Sequence, residues 1–325
     1  MRRALVTGGA GFLGSHLVEA LLARGVEVRV LDDFSTGSPE NLAGAEGAET
    51  IRGDCRDAET VRKAAAGCDA VFHLAARVGV RRVLESPLAT IEDNVLSTRA
   101  AAEAALEVGA RLVYASTSEV YGRNERVPFR ESDDLTLGPP TVGRWSYAAS
   151  KILDEHYLLA LHRERGLDAV TARLFNAVGP RQRADEGMVV PSFVSAALRG
   201  RPLEVHGDGS QRRCFTWVGD TVRALAMLAE EPRASGGVFN VGSREEVSIM
   251  ELARMVIEET GSSSEAVTVP YERLGEGFAD MGRRVPDTRR IEELTGWRAE
   301  TPLREALART AAWWRERLQA SDSRA

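Results

Sequence analysis

At 325 residues the chain is long enough for one large domain or two closely packed ones, and 43% hydrophobic with 28% charged residues is ordinary for a globular protein. A net charge of -6 gives no support to binding nucleic acid or an anionic membrane, so any phosphate must be held by a few local arginines and backbone N–H groups. Cys55, Cys68 and Cys214 are scattered and lack Cys-x-x-Cys spacing, and the histidines show no close ligand pairing, so neither a disulfide framework nor a metal site is expected.

The chain begins Met1-Arg2-Arg3, and only a short apolar stretch follows before Gly8. That reads as a first strand rather than a signal peptide, and no apolar run reaches membrane-spanning length. A cytoplasmic chain without a membrane partner is expected. Short apolar runs then alternate with helical patterns. Residues 3–7 read as strand, 12–24 as helix and 26–31 as strand; the unit repeats at 49–53, 58–66 and 70–74. His73 ends the apolar run from Ala70 and is expected to pack rather than bind a ligand. A long Ala-rich helix over 88–108 leads into a strand at 111–116, and a helix over 145–165 leads into a strand at 169–174. This alternation predicts an α/β fold: a Rossmann-type doubly wound parallel sheet with helices on both faces.

The stretch between Arg123 and Arg144 is rich in Pro, Gly and acid, and a segment of that length is expected to act as a lid or dimer contact. After Phe175-Asn176 the pattern becomes less regular. We expect residues 1–175 to form a dinucleotide-binding domain, with a helix over 218–229 and a strand over 237–240 returning to it. Residues 176–217 and 241–325 then form a smaller mixed α/β substrate-binding lobe. Residues 320–325 read as a frayed end.

Gly8, Gly9, Gly11 and Gly14 follow a strand and open a helix. Glycine is needed where the chain turns tightly and a pyrophosphate approaches the backbone, and the helix N-terminus offers N–H donors and positive potential. An acid should end the next strand, and Asp32 is there. Its carboxylate can accept from both adenine-ribose hydroxyls and would repel a 2′-phosphate, so NAD is favoured over NADP. Asp54, after the third strand, is placed to face the adenine. Phe12, Leu13, Asp33, Ser35, Thr36, Cys55, Leu74, Ala75 and Ala76 are expected to complete the cofactor site.

Tyr147 and Lys151 in Ser-Tyr-Ala-Ala-Ser-Lys stand at i, i+4, on one helical face. A nearby ammonium should lower the phenol's pKa so that Tyr147 acts as a base near neutral pH, while Lys151 also reaches the nicotinamide ribose. Thr117 lies just past a strand's carboxyl end, where open α/β sheets bind ligand, and its hydroxyl can share the substrate's proton.

With these motifs the chain resembles an extended short-chain dehydrogenase/reductase of the nucleotide-sugar epimerase/dehydratase family. The resemblance covers nearly the whole chain and includes Leu174 to Arg181, Val205 to Arg213 and Phe239-Asn240-Val241-Gly242. It implies a UDP-sugar or another nucleotide-diphosphate sugar, oxidised at C4 by bound NAD, and a homodimer built on the two long helices. It places Asn176 and Arg213 at positions that hold the diphosphate, with Arg77, Ser118, Arg181 and Val190 also on the substrate.

Within that family, Ser116-Thr117-Ser118-Glu119-Val120-Tyr121-Gly122 resembles the UDP-glucuronate decarboxylases, as do Arg144-Trp145 before the tyrosine and Arg283-Arg284-Val285-Pro286 downstream. Sugar 4,6-dehydratases usually carry Asp where Ser118 stands, and simple 4-epimerases a small uncharged residue where Glu119 stands. The segment Ala76–Val80 departs from the Pro-containing version of many UDP-xylose synthases, in a loop that would border the sugar. The resemblance implies that Glu119 serves the C5 chemistry, holding a proton-donating water or repelling the substrate carboxylate, and that Arg284 pairs with that carboxylate or a phosphate. The alternatives are a UDP-hexuronate 4-epimerase, a 4,6-dehydratase and a non-catalytic NAD-binding protein of the same fold; the last of these would be expected to lose the Tyr147/Lys151 pair.

Overall fold

The computed structural model describes residues 1–271 and 281–322. Seven parallel strands form the central sheet. The first six are β1 (Arg3–Thr7), β2 (Glu27–Asp32), β3 (Glu49–Arg52), β4 (Ala70–His73), β5 (Arg111–Thr117) and β6 (Ala169–Leu174). They run in the order β3-β2-β1-β4-β5-β6, and the strand Val238–Val241 adds beside β6. The order reverses between β1 and β4, which opens a crevice at the strands' carboxyl ends. Most of the predicted strands and helices match to within two residues, because fully buried β-branched runs leave little freedom in where a strand ends.

Helices cover both faces. On one side α1 (Phe12–Leu22) packs beside a later helix, Val218–Glu230, over Val6, Val30, Phe72 and Phe239. On the other lie α2 (Ala58–Ala65), the short α3 (Val80–Glu85), α4 (Pro87–Val108) and α5 (Trp145–Arg165). Ala100, Ala101, Ala104 and Ala105 of α4 are buried against α2 and the sheet, and such small side chains let the backbones approach closely. Both long helices end on a left-handed glycine, Gly109 at φ 68° and Gly166 at φ 74°.

A second set of elements follows. Helices Val189–Leu198, Ile249–Thr260 and Leu303–Asp322 enclose their own apolar core around Phe193, Leu252 and Leu307. A strand at Arg283–Arg284 lies parallel to Arg212–Cys214, with Arg284 opposite Arg213. This register brings two distant arginines to the mouth of the crevice.

One expectation is corrected. The last helix continues to Asp322, so residues 320–322 are helical, while 323–325 lie outside the described residues. The stretch from Arg123 to Arg144 is anchored through its middle: Phe129 is fully buried against Tyr121, and its N–H donates to Val285 while its carbonyl accepts from Asp287. The segment is thus tethered at Phe129 by a buried ring and two backbone bonds, while most of its other residues remain half-buried or exposed.

Candidate active site

Apart from Gly9, every cofactor, catalytic and substrate residue singled out from the sequence lines one cavity of about 1020 Å³ at the carboxyl end of the sheet. It runs from the glycine turn, Asp32, Asp33, Ser35, Thr36, Asp54 and Cys55, past Leu74, Ala75, Ala76 and Arg77, to Thr117, Ser118, Glu119, Tyr147 and Lys151. Beyond those it reaches Asn176, Arg181, Val190, Arg213 and Arg284. Pockets for a single small molecule usually span roughly 300–1,000 Å³, so this one has room for a cofactor and a substrate together.

At one end the turn after β1 passes under the sheet edge. A Cβ on Gly8, which sits at φ 68°, would lie 2.8 Å from the Ala75 amide nitrogen, and one on Gly14 would strike the Gly8 carbonyl. Only glycine permits this closeness, and it leaves the first-turn N–H groups of α1, which have no acceptor within the helix, at the cavity wall. Asp32 is 6% exposed; its two oxygens accept from the Ala10 and Phe34 amides at 2.9 and 2.8 Å. Burial pushes the Asp32 carboxyl up, partly offset by these bonds. A glycine cradle beside a buried, pre-oriented carboxylate fits a dinucleotide with free ribose hydroxyls.

Asp54 and Cys55 line this end of the cavity. Both Asp54 oxygens accept from the Arg56 guanidinium, which fixes the orientation of the half-exposed carboxylate. Burial and the acids Asp32, Asp33 and Asp54 push the Cys55 thiol up to about 12, which leaves it unreactive.

In the middle of the cavity Thr117 and Tyr147 stand together, and the Thr117 hydroxyl accepts from the Glu119 amide at 3.2 Å, capping a 3-10 turn over Ser118–Tyr121. The expectation that a nearby ammonium depresses the phenol is corrected. Burial, then the Glu119 charge, pushes the Tyr147 phenol well above its ordinary value. The Lys151 ammonium donates to the Ala115 carbonyl at 3.0 Å and lies 4.5 Å from the centre of the Tyr114 ring. Lys151 is 2% exposed, and burial pulls it down to about 8, against the opposing pull of Asp154 and Glu155.

Beneath the site runs a buried polar chain. His73 meets Thr7 at 2.8 Å and Thr98 at 3.3 Å; the Thr98 hydroxyl donates to Asp154, which also accepts from Tyr114 at 2.6 Å. Burial lowers His73 to about 3, so it is a neutral packing residue, as its place in the sequence suggests.

At the far end Glu119 faces three buried arginines. Arg284 reaches its Oε1 at 3.2 Å and Arg144 reaches the same oxygen at 3.5 Å. Burial alone would raise the Glu119 carboxyl; the charges of Arg144, Arg284 and Arg213 outweigh it and hold the group below its ordinary value. Arg284 also approaches Ser118 at 3.4 Å, and Arg213 donates to the Arg212 and Gly282 carbonyls. Asn176, at φ 30°, donates to the Cys214 carbonyl. Arg181 is drawn toward α1 by a 2.5 Å bond to Glu19, so it joins the two halves of the molecule.

The sequence reading assigns no role to Arg144, Arg82, Glu186, His206 or Gln211, which also line the cavity. Arg144 had a usable signal: it precedes Tyr147 by three residues and opens the same helical turn. The others have none, since their neighbours come from distant parts of the chain.

Residues 4–242 match the model of the NAD dependent epimerase/dehydratase family. The chain is 39% identical over 320 residues to the UDP-N-acetyl-alpha-D-glucosaminuronate decarboxylase of Bacillus cytotoxicus, covering 97% of this chain and 98% of the relative. It is 36% identical to UDP-glucuronic acid decarboxylase 1 of Xenopus tropicalis, over 98% of this chain and 73% of that protein. Among solved structures it is similar to the UDP-glucose 4-epimerase of Thermotoga maritima, crystallised with UDP-glucose, with a TM-score of 0.89, 30% identity and coverage of 97% and 99% of the two chains. The sheet order, the glycine turn and the Thr117, Tyr147 and Lys151 grouping agree with these matches, and the chain belongs to the NAD-dependent epimerase/dehydratase family.

Proposed function

We propose that this protein decarboxylates a UDP-hexuronate, with UDP-glucuronic acid as the substrate and UDP-4-keto-pentose or UDP-xylose as the product. The observation that carries the reading is Glu119, buried between Arg144 and Arg284 beside Thr117 and Tyr147. A neutral sugar gives such a charged cluster no task; a substrate carboxylate does.

Bound NAD supplies the acceptor, and later the donor, of the C4 hydride. Tyr147 takes the C4 hydroxyl proton, with the Thr117 hydroxyl working against the burial that disfavours its phenolate, and the Lys151 ammonium, held at the Ala115 carbonyl, would hold the nicotinamide ribose. The C4 ketone stands β to the C5 carboxylate, so CO2 leaves and its bonding electrons remain as an enolate. Among the described residues the Oε2 atom of Glu119 accepts no hydrogen bond, so it can orient the water that returns a proton to C5. Arg144 and Arg284 position the carboxylate before it leaves. Asn176 and Arg213 hold the diphosphate.

The relative that acts on an N-acetylglucosaminuronate supports a second reading, in which the sugar carries an acetamido group at C2. Purified protein incubated with UDP-glucuronic acid or with its 2-acetamido counterpart, followed by CO2 release and NMR, separates the two. A 4-epimer without CO2 would move the assignment to the epimerase. We also propose a homodimer through α4 and α5, which leave Leu88, Ile91, Leu96 and Leu153 exposed.

A further inference from the structure

Arg56 lies at the cofactor end of the cavity, between the carboxyl end of β3 and the start of α2, and three parts of the chain meet through it. Its Nε and Nη2 atoms grip both oxygens of Asp54 at 2.6–3.0 Å, and its Nη1 donates to Oδ1 of Asp93 on α4 at 2.7 Å. The other Asp93 oxygen takes Arg77, from the loop after β4, at 3.4 Å. The next residue on α4, Asn94, accepts from the Arg77 amide at 2.7 Å and donates to Ser150 of α5. Asp54, Arg56, Asp93 and Arg77 all line the cavity.

We infer that Asp54–Arg56–Asp93–Arg77 is a charge-neutral strap across the cofactor end of the cavity, with Arg56 as its movable link, and that it slows escape of the bound dinucleotide. Arg77 and Asp93 are part-buried and anchored by α4; Arg56 is 48% exposed and rests on carboxylates from two different elements. Exposed ion pairs contribute little to folding, so a network at a cavity rim has scope to act on passage instead. Such pairs break and reform far faster than a packed element moves, and salt weakens them. Cofactor can leave only while the strap is open, so the strap slows release in proportion to the time it spends closed, and salt raises the open fraction. This inference concerns the cofactor alone and is independent of the sugar chemistry proposed above.

The test uses the intact protein loaded with etheno-NAD, a fluorescent NAD analogue, and chased with excess NAD in a stopped-flow instrument. Release should accelerate about ten-fold in Arg56→Ala, the order expected when exposed pairs of this kind are removed. It should accelerate in the same direction in Asp93→Asn, which keeps the Asp54–Arg56 grip and weakens the links of both Arg56 and Arg77 to α4. Raising the salt concentration should speed release from the parent and change it little in Arg56→Ala. Circular dichroism of both variants checks that the fold persists, and Arg56→Lys should restore part of the slow release. Parent-like release in Arg56→Ala at every salt concentration would overturn the strap. So would an effect of Arg56→Ala that Asp93→Asn does not share, because Arg56 would then act without α4.

Discussion

The Arg284 guanidinium lies 3.2 Å from Oε1 of Glu119, and 165 residues of chain separate the two. A carboxylate held between arginines keeps its charge, and among the described residues its Oε2 accepts no hydrogen bond. The Glu119→Gln variant removes that charge at nearly constant size, so oxidation at C4 should persist while CO2 loss slows ten- to thousand-fold, roughly 1.4–4 kcal/mol. Single-turnover absorbance at the NADH band, read beside CO2 release, checks it. Equal CO2 release by variant and parent would remove Glu119 from the C5 step.

Tyr147→Phe should lower turnover by at least about 10²-fold while NAD stays bound, because the phenol moves the proton and the cofactor cradle lies elsewhere. Steady-state rates and the NAD content of the purified variant are the two measurements. Near-normal product formation would exclude Tyr147 as the proton acceptor.

The pH profile should carry the signature of Lys151. Its ammonium, pulled down to about 8 by burial, is charged below that pH and neutral above it. The rate should therefore fall as pH rises through about 8, and the fall should come at lower pH in Asp154→Asn, since the Asp154 charge supports the ammonium. A profile flat to pH 10 would contradict this.

Cofactor preference should rest on Asp32. The parent should bind NAD well ahead of NADP, and Asp32→Ala should erode the difference. The same change strips the acceptor from two backbone N–H groups, so a loss of stability of about 1–3 kcal/mol should accompany it. Titration with each dinucleotide and a thermal melt separate the two effects.

In solution the protein should sediment at twice the chain mass. A Leu96→Glu, Leu153→Glu double variant places like charges on the exposed α4 and α5 face and should sediment as a monomer. A parent that is already monomeric at micromolar concentration would refute the dimer.

Much of this molecule is legible in its residues because parallel strands buried on both faces must be continuous apolar runs. Ala4-Leu5-Val6 and Ala70-Val71-Phe72 announce themselves in that way. Local motifs, such as the glycine turn and the i, i+4 spacing of Tyr147 and Lys151, carry as far as the cavity. What the sequence hides is direction. Lys151 sits one turn from Tyr147, yet its ammonium points to Ala115 and Tyr114, and a rule based on spacing predicts the wrong shift of the phenol. Long-range pairing is equally silent: nothing local tells that Arg284 will lie opposite Arg213 or that Arg56 will reach Asp93. The end of the last helix was missed because its small polar residues resemble a loose tail.

The Thr117 hydroxyl serves two masters. It caps the turn that carries Ser118 and Glu119, and it works against the burial that disfavours the Tyr147 phenolate. A single oxygen atom thus ties the local geometry of the loop to the proton path, and mutation cannot separate the two at this position. Glu119 and Ser118 carry no such double duty toward the turn's cap. Divergence among proteins built on this scaffold is therefore easier at the two residues after the threonine than at the threonine itself. New sugar specificities can be tried there without dismantling the machinery that opens the reaction.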